Sequence, residues 1–139
     1  MTRPQFQPAQ AKLVAQALAQ EQVDYLFIGK GAAILLGFPA MTQDVDIFPA
    51  RTRENAAAIA RALKKLGFEI NPELEQAVLN CKDSVQIKSG PFDIDLVFAP
   101  DGINSFSEAK GRALTLEEFR IASLRDVIAR KRASGREKD

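Results

Sequence analysis

Four aspartates in two short segments are the residues of this chain best suited to chemistry. Asp44 and Asp46 lie in the run DVDIF, and Asp93 and Asp95 lie in the run FDIDLVF. Because successive side chains of a β-strand point to opposite faces, the members of each pair share a face while their apolar neighbours face the core. If the two strands are neighbours in one sheet, three or four carboxylates converge on one surface.

Such a carboxylate cluster repels itself unless protons or cations neutralise it, and Mg2+ suits it because that ion binds carboxylates together with substrate phosphates. We predict that Asp44, Asp46 and Asp95 ligate Mg2+ or Mn2+ and form the catalytic group of a phosphoryl or nucleotidyl transfer site. Asp95 can also accept the proton of an attacking hydroxyl, and Asp93 is interpreted as a neighbour that tunes the site. For an isolated Asp-x-Asp the alternative is a solvated strand face, against which the second acidic strand argues.

A glycine turn follows the first apolar run of the chain. Residues 25–28 predict a buried strand, Gly29, Lys30 and Gly31 form the turn, and residues 32–36 predict a short helix. Exposed backbone N–H groups at such a turn favour a phosphate, so these three residues are predicted to bind nucleotide. The alternative is a plain strand-to-helix turn, because neither a Walker loop nor a dinucleotide fingerprint can be read here.

Apolar spacing predicts two longer helices that cover a sheet. Residues three and four apart are apolar over 9–20 and over 52–66, with Thr52 as the N-cap of the second helix and Gly67 as its end. The positions predicted to face the core are Ala11, Val14, Ala15 and Leu18 in the first helix and Ala56, Ile59, Ala60, Leu63 and Leu66 in the second.

Alternating polar and apolar residues predict the strands. One strand runs from Asp44 and is expected to end before Pro49, and the runs 84–88 and 92–98 flank a Ser-Gly-Pro break that predicts a hairpin.

The capping-box pattern occurs twice near the end of the chain. It begins at Thr115 and again at Ser123, which predicts helix starts before Phe119 and before the run 127–132.

The composition limits the class of protein. A chain of 139 residues with 46% hydrophobic and 27% charged residues is typical of one globular domain, and its net charge of +1 provides no general attraction for nucleic acid. With no histidine and only Cys81, which is interpreted as a packing residue, disulfides, ordinary zinc sites and catalytic triads are excluded. No apolar run approaches about 18 residues and no signal peptide can be read, so we expect a cytoplasmic protein without a membrane partner.

Three segments together resemble the nucleotidyltransferase superfamily, and in particular the small abortive-infection (AbiEii-like) toxins and related proteins. They are residues 28–32 (IGKGA), 37–46 (GFPAMTQDVD) and 94–97 (IDLV). In that family a glycine opens a helix, an Asp-x-Asp/Glu pair binds metal and a later acidic residue completes the site. The resemblance assigns these roles to Gly29, Asp44, Asp46 and Asp95, and it makes Thr42 a nucleotide contact.

The end of the chain is similar to the C-terminal helix of that family. Residues 123–128 are followed by Lys131, Arg136 and Asp139, and the resemblance implies that Lys131 contacts nucleotide. The alternative for Lys131 and Arg136 is a basic helix end favoured by the helix dipole. The family's helix usually continues, so we expect Asp139 to end a shortened tail.

The resemblance implies a nucleotidyltransferase-like fold over residues 1–139, with a small mixed sheet flanked by helices from Ala9, Gly31, Thr52 and Ser123. The implied activity is Mg2+-dependent transfer of a nucleoside monophosphate from a nucleoside triphosphate to a hydroxyl of an acceptor RNA or protein. The implied setting is a toxin with a partner antitoxin protein.

Two departures from the family pattern affect triphosphate binding. Lys30 replaces the usual Gly or Ser, and Ala40 stands where many relatives have arginine. The alternative function is therefore a catalytically silent nucleotide-binding or protein-interaction module of the same fold.

Overall fold

The computed structural model describes residues 8–37, 44–90, 92–116 and 119–133, and these ranges contain six helices and six strands. The helices are α1 (Pro8–Gln20), α2 (Gly29–Leu35), α3 (Arg53–Lys65), α4 (Pro72–Leu79), α5 (Phe106–Arg112) and α6 (Leu124–Ala133). The strands are β1 (Tyr25–Ile28), β2 (Asp44–Pro49), β3 (Ser84–Ile87), β4 (Asp93–Val97), β5 (Leu114–Leu116) and β6 (Phe119–Ile121). None of the helices in these ranges is long and apolar enough to cross a membrane.

The strands form one mixed sheet in the order β3-β4-β2-β1-β6-β5. β2 lies inside the sheet, antiparallel to β1 and parallel to β4, and β6 runs parallel to β1. The predicted hairpin is confirmed as the antiparallel pair β3 and β4. The predicted fold class, a small mixed sheet flanked by helices, is also confirmed. β2 extends one residue further than predicted, because Pro49 still pairs with Tyr25 of β1.

The larger hydrophobic core covers one face of the sheet. Val45 and Ile47 of β2 and Ile94 and Leu96 of β4 pack there beneath α1 and α3. The positions of α1 and α3 that were predicted to face the core are buried, with at most 3% exposed, except Leu66, which follows the last residue of α3 and is partly buried against the same core. Cys81 is buried in the same core, as predicted.

The opposite face of the sheet carries a smaller core at one end only. It contains Leu26, Ile28, Phe48, Val97, Ile103, Ala109 and Ala122. Burial of a large apolar side chain stabilises a fold by roughly 1.5–3 kcal/mol, so two cores on opposite faces strongly oppose a one-residue slip in strand register.

The capping-box prediction at Thr115 is wrong. Instead of beginning a helix before Phe119, this region forms the antiparallel pair β5 and β6, with Leu116 opposite Phe119. Ile121 of β6 is fully buried and pairs with Phe27 of β1. A cap favours a helix by only about 1 kcal/mol, so packing of alternate residues against an existing sheet outweighs it.

The short helices α4 and α5 were not predicted, although each has an N-cap signal. The Asn71 side chain accepts a hydrogen bond from the Leu74 N–H at 2.8 Å, and the Ser105 hydroxyl accepts one from the Glu108 N–H at 3.1 Å. Helices of seven or eight residues are too short to show a clear apolar period, so the caps were the available signal.

A buried ion pair fixes α6 to the rest of the fold. Asp126 is buried, with 2% of the residue exposed. Its carboxylate accepts hydrogen bonds from Nε and Nη2 of Arg112 at 3.0 and 2.8 Å. Its backbone N–H donates to the Ser123 hydroxyl at 3.2 Å, which confirms the predicted capping at Ser123. The same helix carries Arg130 one turn later, so this ion pair also positions that side chain.

Replacing Asp126 with Ala should destabilise the fold by about 1–2 kcal/mol, because the substitution removes the hydrogen bonds that the buried carboxylate accepts from the partly exposed Arg112 guanidinium. Asp101→Ala is the matched control, since Asp101 is exposed and should change the unfolding free energy by no more than about 0.5 kcal/mol. Urea denaturation measures both variants. Equal effects of the two substitutions would show that the buried ion pair does not anchor α6.

Candidate active site

The two acidic pairs lie side by side on one face of the sheet. β2 and β4 are in register, with Asp44 opposite Asp93 and Asp46 opposite Asp95. The prediction that the two acidic strands are neighbours in one sheet is confirmed. The negative charges of Asp95 and Asp44 both raise the pKa of Asp46, so these groups share one electrostatic environment.

Asp46 is the most enclosed of these carboxylates. Its Oδ2 accepts a hydrogen bond from Nη1 of Arg130 at 2.9 Å, and the two side chains are 16% and 19% exposed. Burial raises the pKa of Asp46 from an ordinary value of 3.8 to about 6. The positive charge of Arg130 opposes this rise, whereas Asp95 and Asp44 add to it. The guanidinium therefore compensates only part of the cost of a buried charge.

Asp95 is held from the neighbouring strand. Its Oδ1 accepts a hydrogen bond from the hydroxyl of Ser84 on β3 at 2.8 Å, and Gln86 is its partner on the same strand. Asp95 is partly buried, whereas Asp44 at the start of β2 is exposed. The carboxylates on this face thus range from Asp46, which is enclosed, to Asp44, which is accessible from solvent.

Gly29 brings the backbone of the glycine turn directly against the acidic face. It opens α2, which begins three residues earlier than predicted, and has a φ of +71°. A Cβ atom at this position would lie 2.7 Å from Oδ2 of Asp46 and 3.2 Å from Nη1 of Arg130. Both the left-handed backbone and the close approach require glycine here.

The other predicted nucleotide-binding residues have different outcomes. Lys30 and Gly31 follow Gly29 in the first turn of α2. Lys131 lies in α6 next to Arg130 and is partly buried. Thr42 lies outside the described residues, as do Ala40, Arg136 and Asp139. Nucleotide binding by these residues stays a prediction.

Arg130 is the residue of this site that sequence analysis missed. It lies four residues after the buried Asp126 and three after the partly buried Val127. This spacing places the three residues on one side of a helix, so an inward-facing arginine could have been recognised. The resemblance to the nucleotidyltransferase superfamily instead assigned a nucleotide contact to the neighbouring Lys131.

The acidic face suits a hard cation in its donor chemistry, since carboxylate oxygens are the ligands that Mg2+ prefers. In the described part of the chain, however, no three Asp, Glu or Cys side chains are grouped closely enough to hold a metal ion. Oδ2 of Asp46 is engaged by Arg130 at the same time. The donors for a cation are therefore present, but one of them is paired with an internal positive charge.

No known protein-family model, curated protein or solved structure matches this chain. The geometry of the site therefore carries the functional argument.

Replacing Gly29 with Ala should destabilise the fold by at least about 1–2 kcal/mol, because an L-residue is disfavoured in the left-handed region and its Cβ would clash with Asp46. Gly111→Ala is the control. A Cβ added at Gly111 in α5 meets no atom within 4 Å, so this variant should be neutral or gain up to about 1 kcal/mol. Thermal denaturation compares the two. A Gly29→Ala protein as stable as Gly111→Ala would contradict the close approach to Asp46.

Replacing Asp46 with Asn should remove a pH dependence of stability from the metal-free protein. The folded protein keeps a proton on Asp46 up to about pH 6, whereas the ordinary value for an exposed carboxyl is 3.8. The neutral carboxyl adds stability below pH 3.8, and this contribution is lost as the pH rises through about 6. At about 1.36 kcal/mol per pH unit, wild-type stability should fall by up to about 3 kcal/mol relative to the variant across this window.

Urea denaturation in EDTA from about pH 4 to about pH 8 measures this difference, with Asp101→Asn as the exposed control. EDTA is required because a bound cation would keep Asp46 charged and mask the effect. If wild type and Asp46→Asn keep a constant difference over the whole range, the carboxyl of Asp46 is not perturbed.

Proposed function

We propose that this protein is a Mg2+-dependent nucleotidyltransferase, which moves a nucleoside monophosphate from a nucleoside triphosphate to an acceptor hydroxyl. The observation that supports the proposal is the in-register pairing of Asp46 with Asp95 on a sheet face next to the Gly29 turn. A metal-bound triphosphate requires carboxylates for its cation and N–H donors for its phosphates, and this face offers both in one place.

In the proposed reaction, Asp44, Asp46 and Asp95 are the residues that would hold Mg2+. When bound, the ion offsets negative charge on the phosphate oxygens. Asp95 accepts the proton of the acceptor hydroxyl while the hydroxyl oxygen forms a bond to the α-phosphorus. The bond from the α-phosphorus to the β-phosphate oxygen breaks, and pyrophosphate leaves with the electron pair. The hydrogen bond from Ser84 orients the Asp95 carboxylate for this role.

The triphosphate is proposed to lie against the glycine turn. The backbone N–H groups of Gly29, Lys30 and Gly31 hold its phosphates, and Thr42 and Lys131 supply further contacts. Gly29 matters because any side chain there would fill the space between the turn and Asp46.

The acceptor is proposed to be an RNA or a protein hydroxyl, and the protein is proposed to act as the toxin of a toxin–antitoxin pair in the cytoplasm. These assignments come from the resemblance to AbiEii-like proteins. A net charge of +1 gives no general attraction to nucleic acid, so an acceptor RNA would have to be recognised locally.

A second candidate function is a catalytically silent module of the same fold that binds nucleotide or a protein. Two observations favour it. Arg130 already pairs with Asp46, and no group of three potential metal ligands occurs among the described residues. A silent module can keep these acids as a structural ion pair without turnover.

Radiolabel transfer tests the proposed activity. We expect wild-type protein with Mg2+ to transfer α-labelled nucleotide from a preferred triphosphate to RNA or to protein in a cell extract. Asp95→Asn should lower the rate by about 10²–10⁴-fold, the usual contribution of a general base. Asp46→Asn should abolish detectable transfer, whereas Asp101→Asn should retain the wild-type rate.

Binding measurements separate the two candidate functions, the nucleotidyltransferase and the silent module. Absence of transfer by a wild-type protein that still binds Mn2+ and a triphosphate in calorimetry would favour the silent module. A wild-type protein that binds neither would exclude both nucleotide-dependent functions.

A further inference from the structure

Arg130 occupies an unusual position for an arginine on a helix near a chain end. Its Nη1 lies 2.9 Å from Oδ2 of Asp46, with 19% of its side chain exposed. Among the described residues, Asp46 is the only hydrogen-bond acceptor of this guanidinium. A guanidinium has five N–H donors in a planar fork, so this single contact leaves most of its binding capacity unused by the described residues.

The pair lies next to further carboxylates. Four aspartates occupy neighbouring positions of β2 and β4, and Arg130 is bonded to one of them. A cation that takes Oδ2 of Asp46 as a ligand must approach to about 2.0–2.1 Å, which places it beside the guanidinium. Two positive charges in that space repel each other, so Arg130 opposes binding of a metal ion alone.

A metal-bound polyphosphate avoids this conflict because it carries both charges. Its cation can replace the guanidinium at Asp46, and its phosphate oxygens can accept hydrogen bonds from the guanidinium N–H groups that are released. Arginine is well matched to this exchange, since its fork binds carboxylate and phosphate in the same bidentate geometry. The exchange needs little movement. Nη1 is already 3.2 Å from the position of a Cβ on Gly29, the residue that opens the glycine turn.

We propose that Arg130 exchanges partners when the site is filled, from Asp46 in the resting protein to a phosphate group of a metal-bound triphosphate. This inference rests on the proposed function, because it assumes that the acidic face takes a cation with a triphosphate. Its consequence is cooperativity: the site binds a metal ion weakly by itself and binds the metal and the triphosphate together.

Calorimetry with Mn2+ and inorganic triphosphate tests the exchange without knowledge of the base or the acceptor. Arg130→Gln should bind Mn2+ alone about tenfold more tightly than wild type and should bind the Mn2+–triphosphate complex about tenfold more weakly. Arg130→Lys keeps the charge but lacks the fork. It should therefore bind Mn2+ as weakly as wild type while losing affinity for the complex.

Arg132→Gln is the matched control, because Arg132 is exposed on the same helix and should leave both affinities unchanged. Opposite effects of Arg130→Gln on the two ligands support the exchange. Changes in the same direction, or no change, overturn it and indicate a structural ion pair. If wild type binds Mn2+ and the complex, but Arg130→Gln does not change the two affinities in the expected opposite directions, only this inference fails. If wild type binds neither ligand, the proposed function fails with it.

A second measurement uses only the wild-type protein, in case Arg130→Gln does not fold. Crystals grown with Mn2+ and triphosphate should show the Arg130–Asp46 hydrogen bond broken and the guanidinium bonded to phosphate oxygen. A retained hydrogen bond beside a bound metal–triphosphate overturns the exchange.

Discussion

The parallel pairing of β2 with β4 imposes the constraint around which the rest of this structure is arranged. It places Asp46 beside Asp95 and Asp44 beside Asp93, so the same backbone hydrogen bonds that build the sheet also force like charges together. The register cannot relax this repulsion. A slip of either strand by one residue would turn its core residues, Val45 and Ile47 of β2 or Ile94 and Leu96 of β4, out of the larger core, at a cost of several kcal/mol.

The surrounding structure compensates the repulsion from two directions. The Arg130 guanidinium reaches Asp46 from α6, and the Ser84 hydroxyl reaches Asp95 from β3. Gly29 has no side chain and leaves room for the contact between Asp46 and Arg130. The compensation is incomplete, since the pKa of Asp46 remains raised to about 6. A site with residual negative charge next to backbone N–H groups is suited to a ligand that brings a cation and an anion together, which is the link between the electrostatics and the proposed function.

The contact between Arg130 and Asp46 depends on a second ion pair far from the acids in the sequence. Asp126 and Arg112 lock the first turn of α6, and Arg130 projects from the next turn of that helix. Because the Asp126 side chain is buried and bonded to both Nε and Nη2 of Arg112, its geometry is well defined. An ion pair that is structural in itself thus determines where the Arg130 guanidinium lies.

Much of this site could be predicted because strand alternation is a local rule. The spacing of Asp44 from Asp46 and of Asp93 from Asp95 is sufficient to put each pair on one face. The helical spacing in α1 and α3 likewise identified buried positions that the fold confirms. Local rules failed where a non-local partner competed with them. The pattern at Thr115 favoured a helix, yet Phe119 and Ile121 gained more by joining the sheet beside β1.

Local spacing is enough to show which side chains share a face, where the glycine turn follows a strand, and that carboxylate chemistry is available without histidine or a disulfide. Packing of the whole chain was needed to make β2 and β4 adjacent and parallel, and to bring Arg130 to Asp46 across 84 residues of chain. The physical reason is that periodicity and capping depend on neighbours within a few positions. Strand partners and long-range ion pairs depend instead on burial summed over the whole chain.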